Sequence, residues 1–253
     1  MIELLRYCRR FFATSSSFTL FGIGGAIIPI FAYPLIGLAP ISGRRKQEIA
    51  RKLCQKVFAF FVKYMEISGV LTWEAHNLEK LNRPGLLVLA NHPTLLDVVF
   101  LISFLPNADC VVKSSLRFNP AMRGFIKLTG FITNDTGEQL VDAAGESLND
   151  GGCLVIFPEG TRTTPNHAMQ LQRGAANIAV RTKTSITPIT ITCNPLALSK
   201  QHKWYHTARQ RLHYKFQVND DIDIQPYLTE HPSKAARHLT KDLKKYFSEE
   251  LAE

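Results

Sequence analysis

Paired cysteines are missing from this sequence. Its five cysteines are scattered over 253 residues, are odd in number and include no C-x-x-C pair. This pattern argues against both a disulfide framework and a zinc site, and it fits a reducing compartment. Internal repeats and low-complexity linkers are also absent, and the length suits one substantial α/β domain with a short appendage.

Charge is missing from one long segment near the N-terminus. Residues 11–43 hold no charged side chain, and residues 18–38 are densely apolar. About 20 such residues can cross a bilayer. Because Pro29 and Pro34 interrupt the hydrogen bonds of a helix, the sequence is compatible with a kinked span or with a re-entrant pair of short helices. Basic residues on both flanks favour the re-entrant pair, and a buried helix of a soluble protein is the alternative.

Positive charge is concentrated beside that apolar segment. Residues 1–64 contain ten Lys or Arg against two Glu, which accounts for +8 of the net charge of +9. Basic residues beside an apolar run suit an anionic membrane surface better than nucleic acid, at roughly 1 kcal/mol for each Lys or Arg near the headgroups. Arg9 and Arg10 are also compatible with a twin-arginine export signal. We therefore predict that residues 1–66 form a membrane-anchoring helical segment and that nucleic acid is not a partner.

Residues 67–253 are predicted to form an α/β domain. Segments with strand and helix patterns alternate there, which predicts a mixed, mostly parallel sheet flanked by helices. Before it, residues 45–66 have the pattern of an amphipathic helix that packs on the core or contacts the membrane. The predicted strands are 85–90, 110–113, 152–157, 186–192 and 212–218, and the predicted helices are 95–104, 120–128, 137–148 and 233–251.

The first candidate site follows the apolar strand at 85–90 and reads N-H-P-T-L-L-D over residues 91–97. His92 thus lies at the carboxyl end of a strand, where α/β sheets form their crevices. Asp97 lies five residues later and can fold back to the imidazole. It would then hold one ring nitrogen and leave the other free as a general base. The same spacing alone is also compatible with packing or helix capping.

The second candidate site follows another apolar strand and reads F-P-E-G-T-R over residues 157–162. Gly160 permits a tight turn, and Arg162 offers a planar fork for a phosphate. Alone, this motif is equally compatible with a turn that carries a surface arginine. His202 and His206 have metal-ligand spacing, but no Glu or Cys nearby completes a set, so no metal site is predicted.

Together the two motifs resemble those of the lysophosphatidic acid acyltransferases (1-acyl-sn-glycerol-3-phosphate acyltransferases), within the glycerolipid acyltransferase superfamily. N-H-P-T-L-L-D is similar to that family's first block, and F-P-E-G-T-R is similar to its third. Residues 113–130 resemble the second block, and residues 187–189 resemble the fourth. The resemblance covers residues 70–195, with all four blocks in the expected order.

The resemblance implies a catalytic role for the first motif. His92 is expected to act as the general base on an acceptor hydroxyl and Asp97 to orient it, so that the alkoxide attacks an acyl thioester without an acyl-enzyme intermediate. The absence of a G-x-S-x-G motif agrees with this mechanism. The expected substrate-binding residues are Lys113, Glu159, Gly160, Thr161 and Arg162, with Arg162 and Lys113 at the acceptor's phosphate.

The resemblance also implies the substrates and the location. The donor is expected to be acyl-CoA or acyl-carrier protein, with no metal or bound cofactor. The expected acceptor is a lysophospholipid, 1-acyl-sn-glycerol-3-phosphate first, which gives phosphatidic acid. The protein is expected at the cytoplasmic face of a membrane, the inner membrane in a bacterium, in agreement with the basic N-terminal segment. Export by a twin-arginine signal would instead separate it from cytosolic thioesters.

One departure from the family pattern concerns the acceptor. Many phosphatidate-forming members carry Arg or Lys shortly after the position of Gly130, whereas residues 131–136 here hold no cation. Arg123, Lys127 or Arg173 are candidates to compensate. The departure leaves another hydroxyl-bearing lipid open as the acceptor. A membrane-docking homologue without turnover is the alternative from a different class of protein.

Overall fold

The computed structural model describes residues 2–118, 120–134, 137–164, 167–201 and 210–252. These ranges contain one seven-stranded sheet with the strand order β1-β7-β6-β2-β5-β3-β4 and seven α-helices. The strands are β1 (Leu71–His76), β2 (Leu87–Ala90), β3 (Ala108–Val112), β4 (Ile132–Thr133), β5 (Cys153–Ile156), β6 (Ile186–Asn194) and β7 (Leu212–Val218). The helices are α1 (Ile2–Leu38), α2 (Gly43–Ile67), α3 (Asp97–Phe104), α4 (Pro120–Thr129), α5 (Gly137–Asn149), α6 (Gly174–Thr182) and α7 (Pro232–Glu250).

The strand directions confirm the predicted mixed, mostly parallel sheet. Strands β6, β2, β5, β3 and β4 run parallel to one another. Strand β7 pairs antiparallel with β6 and parallel with β1, so β1 and β7 run in the opposite direction to the other five strands. All five predicted strands and all four helices predicted beyond residue 66 are present, whereas β1, β4 and α6 were not predicted.

The central strands β2 and β5 of the sheet are buried on both faces. In β2, Val88 and Ala90 belong to the core beneath α2 and α3, whereas Leu87 and Leu89 belong to the core beneath α5, α6 and α7. Each of these four side chains is fully buried. A parallel strand covered on both sides has the continuous apolar sequence seen here, because neither face meets water.

The N-terminal segment contains a single continuous helix. Helix α1 runs over Ile2–Leu38 with Pro29 and Pro34 inside it, so the favoured prediction of a re-entrant pair of short helices is wrong. Each proline removes one backbone hydrogen bond, which a long helix can tolerate. Among the residues described, one helix, over Tyr7–Leu38, is long and apolar enough to cross a membrane, with a mean hydropathy of 1.8.

Helix α2 joins this segment to the sheet. The Ser42 hydroxyl caps its N-terminus, accepting the Arg45 N–H at 3.3 Å. Phe61 is buried in the core and also contacts Phe21 of α1, with ring centroids 4.9 Å apart. Of the two roles predicted for residues 45–66, the structure therefore shows core packing. The predicted boundary at residue 66 stays a prediction.

A buried ion pair links α2 to strand β3 of the sheet. The guanidinium of Arg51 donates to Asp109 Oδ2 at 2.7 Å, to the Thr129 carbonyl at 2.7 Å and to Asn107 Oδ1 at 3.3 Å. Asp109 Oδ2 also accepts the Ser147 hydroxyl at 2.6 Å. Burial raises the pKa of Asp109, and the Arg51 charge and the hydrogen bonds oppose that rise. The ion pair thus links α2 to β3 and α4 directly, and to α5 through Ser147.

Candidate active site

Neighbouring strand ends bring the two sequence motifs together. Strands β2 and β5 are parallel, and their pairing ends with Leu89 opposite Ile156. His92 and Glu159 each lie three residues beyond that pair, at the same edge of the sheet. The His92 backbone N–H donates to Glu159 Oε1 at 3.1 Å, and the Thr163 N–H donates to the His92 carbonyl at 2.7 Å. The two motifs therefore meet at one edge of the sheet.

His92 and Asp97 form the predicted pair. The distance from His92 Nδ1 to Asp97 Oδ2 is 2.8 Å. The Asp97 side chain is fully buried, whereas the His92 side chain is 17% exposed. Among the residues that the structure describes, Nε2 of His92 has no hydrogen-bond partner. The ring is thus held by one nitrogen and open to a substrate at the other.

The segment between the two residues is a turn and not the predicted first turn of a helix. Helix α3 begins at Asp97 instead of Leu95, and the Leu95 N–H donates outward to the Leu198 carbonyl at 3.0 Å. Asp97 lies in the first turn of α3, where the free backbone N–H groups favour a negative charge. The helix start therefore places the carboxylate and also stabilises it.

Thr94 holds the carboxylate from the opposite side. Its N–H donates to Asp97 Oδ2 at 2.7 Å, and its hydroxyl donates to Asp97 Oδ1 at 2.5 Å. Burial raises the pKa of Asp97 above its ordinary value, and the hydrogen bonds and charge of His92 together with the Thr94 hydrogen bonds oppose that rise. An ionised carboxylate only accepts, so Nδ1 of His92 carries the hydrogen and Nε2 keeps its lone pair. This tautomer is the one that a general base requires.

Two further contacts fix the position of the imidazole. Its ring stacks on Phe157, with centroids 4.1 Å apart and an interplanar angle of 22°. Next to it, the Asn91 side chain donates to the Ile191 carbonyl at 2.8 Å and accepts the Ile191 N–H at 2.7 Å. These roles of Thr94, Asn91 and Phe157 were not predicted, although all three lie inside the two motifs.

The F-P-E-G-T-R turn connects the site to a neighbouring loop. Gly160 has a φ of +67°, a conformation that favours glycine, and Thr161 is exposed. Arg162 Nη1 donates to the Leu198 and Ser199 carbonyls, both at 2.9 Å. Its Nε and Nη2 have no partner among the described residues, so one edge of the guanidinium remains available to a ligand. The substrate-binding roles predicted for this turn stay predictions.

Glu159 has a defined structural contact. Its Oε1 accepts both the His92 N–H and the Thr163 hydroxyl, the latter at 2.6 Å, and its side chain is nearly buried. Glu159 therefore ties the F-P-E-G-T-R turn to the backbone of the residue that carries the imidazole.

Among the described residues, the other predicted cations form no hydrogen bond or ion pair with this cluster. Lys113 directly follows β3, and its exposed side chain makes no hydrogen bond or ion pair with the other predicted site residues. Arg123 and Lys127 are exposed on α4. His202 and His206 lie outside the described residues. Within the described part of the chain, no group of three or more His, Cys, Asp or Glu is arranged to hold a metal ion.

Comparison with known proteins agrees with this geometry. A family model described as acyltransferase matches residues 72–192. A 1-acyl-sn-glycerol-3-phosphate acyltransferase of Helicobacter pylori is 28% identical over 200 residues, which span 75% of this chain and 76% of that protein. A probable 1-acyl-sn-glycerol-3-phosphate acyltransferase of Mycoplasma pneumoniae is 25% identical over 240 residues, which span 88% and 86%.

The fold has a counterpart among solved structures. The crystal structure of the 1-acyl-sn-glycerophosphate acyltransferase PlsC from Thermotoga maritima superimposes with a TM-score of 0.70 over 97% of this chain and 98% of that one, at 19% identity. The family model and the curated relatives identify the chain as an O-acyltransferase. Residues 72–192 thus match an acyltransferase domain, and the chain is similar to the lysophosphatidic acid acyltransferases.

Proposed function

We propose that this protein transfers a fatty acyl group from acyl-CoA or acyl-carrier protein to the hydroxyl of a lysophospholipid, with 1-acyl-sn-glycerol-3-phosphate as the acceptor. The observation that carries the proposal is the His92–Asp97 pair, with Nδ1 held at 2.8 Å and Nε2 open. A buried carboxylate behind a partly exposed imidazole is the arrangement of a general base. The names and coverage of the relatives support the acceptor.

The reaction follows from the tautomer. Nε2 of His92 takes the proton of the acceptor hydroxyl as its oxygen attacks the thioester carbonyl. The tetrahedral intermediate then collapses, the carbon–sulfur bond breaks, and the leaving thiolate takes the proton from the imidazolium. Asp97 stabilises the imidazolium while it exists, because the carboxylate accepts the Nδ1 hydrogen bond. No metal or bound cofactor takes part in this proposal.

We further propose that α1 anchors the protein at the cytoplasmic face of a membrane, where thioester donors are found. Several apolar side chains of α1 are exposed, among them Ile30 and Phe31 at 65% and Leu35 at 74%. Such a surface is unfavourable in water and suits a lipid environment. The contact between Phe21 and Phe61 supports retention of α1 in the mature protein over its removal as an export signal.

Membrane attachment is expected to weaken when α1 carries charge. In the double variant Phe31→Glu and Leu35→Glu, the two carboxylates would each cost on the order of 3 kcal/mol at the centre of a bilayer. We expect the variant to stay at the bottom of a vesicle flotation gradient while the wild-type protein floats. Ile67→Glu, which changes a 75% exposed residue on α2, is the control and should float. Full flotation of the double variant would mean that another surface is the anchor.

The available edge of Arg162 supports recognition of the acceptor's phosphate. We expect Arg162→Ala to raise the KM for lysophosphatidate by about tenfold or more, since a hydrogen bond to a charged group contributes on the order of 1.5–3 kcal/mol. The KM for an uncharged monoacylglycerol should be unchanged. An equal rise of the KM for both acceptors would instead mean that Arg162 has only a structural role, through its hydrogen bonds to the Leu198 and Ser199 carbonyls.

One observation favours a second acceptor class. Residues 131–134 offer no cation, and Asn134 there accepts the Ser114 N–H through Oδ1 at 2.9 Å. An amide that is engaged with the backbone cannot neutralise a phosphate monoester. Another hydroxyl-bearing lipid is therefore the alternative acceptor, with the same donor and the same base.

The acceptor is tested with purified protein, labelled acyl-CoA and a panel of lysolipids, with mass spectrometry of the products. The proposal predicts the highest kcat/KM with lysophosphatidate. A higher value for a lysolipid without a phosphate monoester would favour the alternative acceptor, and loss of thioester without any acylated lipid would contradict both.

A further inference from the structure

A tyrosine outside the four motifs reaches the back of the His92–Asp97 pair. Tyr214 lies on β7, is fully buried and donates its phenol hydrogen to Thr94 Oγ1 at 3.1 Å. Its ring packs against Phe100 of α3, with centroids 5.0 Å apart. The helix that carries Asp97 and the strand that carries Tyr214 are therefore in direct contact.

The hydrogen bonds of Thr94 give the phenol a specific effect. A threonine hydroxyl has one hydrogen and two lone pairs. Here the Leu96 N–H, at 3.2 Å, and the Tyr214 hydroxyl, at 3.1 Å, donate to the oxygen. The remaining hydrogen is directed at Asp97 Oδ1. Tyr214 thus completes the set of contacts that fixes the direction of the Thr94 hydroxyl.

We propose that Tyr214 is a positioning residue for acyl transfer, which acts through Thr94 and Asp97 to hold the imidazole of His92. The inference rests on the proposed function, because it assigns Tyr214 to the same general base. Tyr214 touches neither the imidazole nor the open Nε2, so its contribution passes through three hydrogen bonds, which join Tyr214 to Thr94, Thr94 to Asp97 and Asp97 to His92.

The surroundings keep Tyr214 in the protonated form that the proposal needs. Burial, together with the nearby Cys193 and Asp97, raises the pKa of Tyr214 well above its usual value. Burial also raises the pKa of the Cys193 thiol to about 11, and that thiol donates to the Pro195 carbonyl at 3.5 Å. Both groups are therefore neutral at physiological pH, and the phenol remains a donor to Thr94.

The first test is Tyr214→Phe, which keeps the ring packed on Phe100 and removes only the hydroxyl. Loss of a hydrogen-bond partner that supports a catalytic group typically costs about tenfold in rate or more, so we expect kcat to fall about tenfold with both KM values unchanged. The acidic limb of the pH–rate profile should move to lower pH, since a less well held carboxylate stabilises the imidazolium less. An unchanged kcat would overturn the proposal.

Tyr227→Phe is the matched control. It also removes a phenol hydroxyl with a hydrogen bond, in this case to Asp242 Oδ2 at 2.8 Å, away from His92. The control should keep both wild-type kcat and the wild-type pH profile. If kcat of the control fell as much as kcat of Tyr214→Phe, the loss would reflect general destabilisation of the fold and the proposal would be wrong.

A double variant tests the route through Thr94. Thr94→Val removes the hydroxyl, and Thr94→Ser restores it, so the serine variant should recover most of the rate lost in the valine variant. In the Thr94→Val background, Tyr214→Phe should have no further effect on kcat. A second full tenfold loss there would show that Tyr214 acts by another path.

An NMR measurement separates this inference from the proposed function. The hydrogen on His92 Nδ1 should give a far-downfield resonance, because it is donated to a buried carboxylate. That resonance should move upfield and broaden in Tyr214→Phe and in Thr94→Val, and stay in place in Tyr227→Phe. If the wild-type protein shows no acyl transfer but this pattern holds, the proposed function fails and the coupling stands. An unmoved resonance in Tyr214→Phe contradicts the coupling even if acyl transfer is observed, and failure of that variant to fold leaves Thr94→Val to decide.

Discussion

Replacing His92 with alanine is expected to lower kcat for acyl transfer by about 10²–10⁴-fold, the usual contribution of a positioned general base. The imidazole is held at Nδ1 by Asp97, and its Nε2 is available to take a proton. The buried Asp97 cannot substitute for it, because both carboxylate oxygens are occupied by Thr94 and face away from solvent. The measurement is product formation under saturating donor and acceptor, with the melting temperature of each variant recorded beside it.

His76→Ala is the matched control for this prediction, since His76 is a half-exposed histidine on the edge strand β1. It should retain wild-type turnover. Wild-type turnover in His92→Ala would contradict the proposed role of His92 as the general base. A large loss of thermal stability in the same variant would show that the stacked ring holds the turn, and it would require a test with His92→Gln.

The second large effect concerns stability. Arg51→Ala is expected to destabilise the fold by about 3–5 kcal/mol, the usual result of removing one partner of a buried ion pair. In a domain of this size the loss corresponds to about 10 °C in Tm. The cause is Asp109, which would stay fully buried without its guanidinium. Differential scanning calorimetry of the two proteins in the same detergent checks the value.

The pH dependence adds a second readout to the Arg51 variant. Without the guanidinium, burial would raise the pKa of Asp109 further, and the neutral acid needs no ionic partner. The Tm difference from wild type should therefore shrink as the pH falls and widen as it rises. Arg45→Ala, on the exposed face of the same helix, loses only a surface pair with Glu48 and should cost less than about 1 kcal/mol. Equal Tm values for Arg51→Ala and Arg45→Ala would contradict the role assigned to the buried pair.

The position of His92 and Glu159 at one edge of the sheet could be predicted from the sequence because of the geometry of parallel strands. His92 and Glu159 each follow a short run of apolar residues, and the carboxyl ends of neighbouring parallel strands meet at one edge of a sheet. Strands β2 and β5 were predictable since both are buried on two faces and so are apolar throughout. The contact between Asp97 and His92 could also be predicted, because a spacing of five residues requires only a turn that brings the carboxylate back to the imidazole.

Other elements carry too weak a pattern to be predicted. Strand β1 is an edge strand with exposed Glu74 and His76, and β4 has only two residues. Helix α6 is rich in alanine and nearly continuous in its apolar residues, so its helical period is hard to see. In α1, the predicted break at the prolines did not occur, since two missing hydrogen bonds are a small fraction of those in a 37-residue helix.

The long-range support of the site could not be read from the sequence at all. Thr94 and Tyr214 are 120 residues apart, and their contact exists only because the Tyr214 side chain lies on the face of the sheet that α3 covers. A single tyrosine in an alternating strand has the same pattern whether it fills a core or supports a base. Arg51 is a second example, because the helical pattern predicts an exposed side chain at that position and the structure buries it.

The central claim is that the chain moves an acyl group from a thioester to a lipid hydroxyl with His92 as the base. The most direct test is a single-turnover experiment with full-length protein, acyl-CoA and lysophosphatidate, in which free CoA and lipid products are quantified together by mass spectrometry. We expect the wild-type protein to give free CoA and a lipid ester in equal amounts, and His92→Ala to give neither on the same timescale. Release of free fatty acid with no lipid ester, or equal ester formation by both proteins, would contradict the claim.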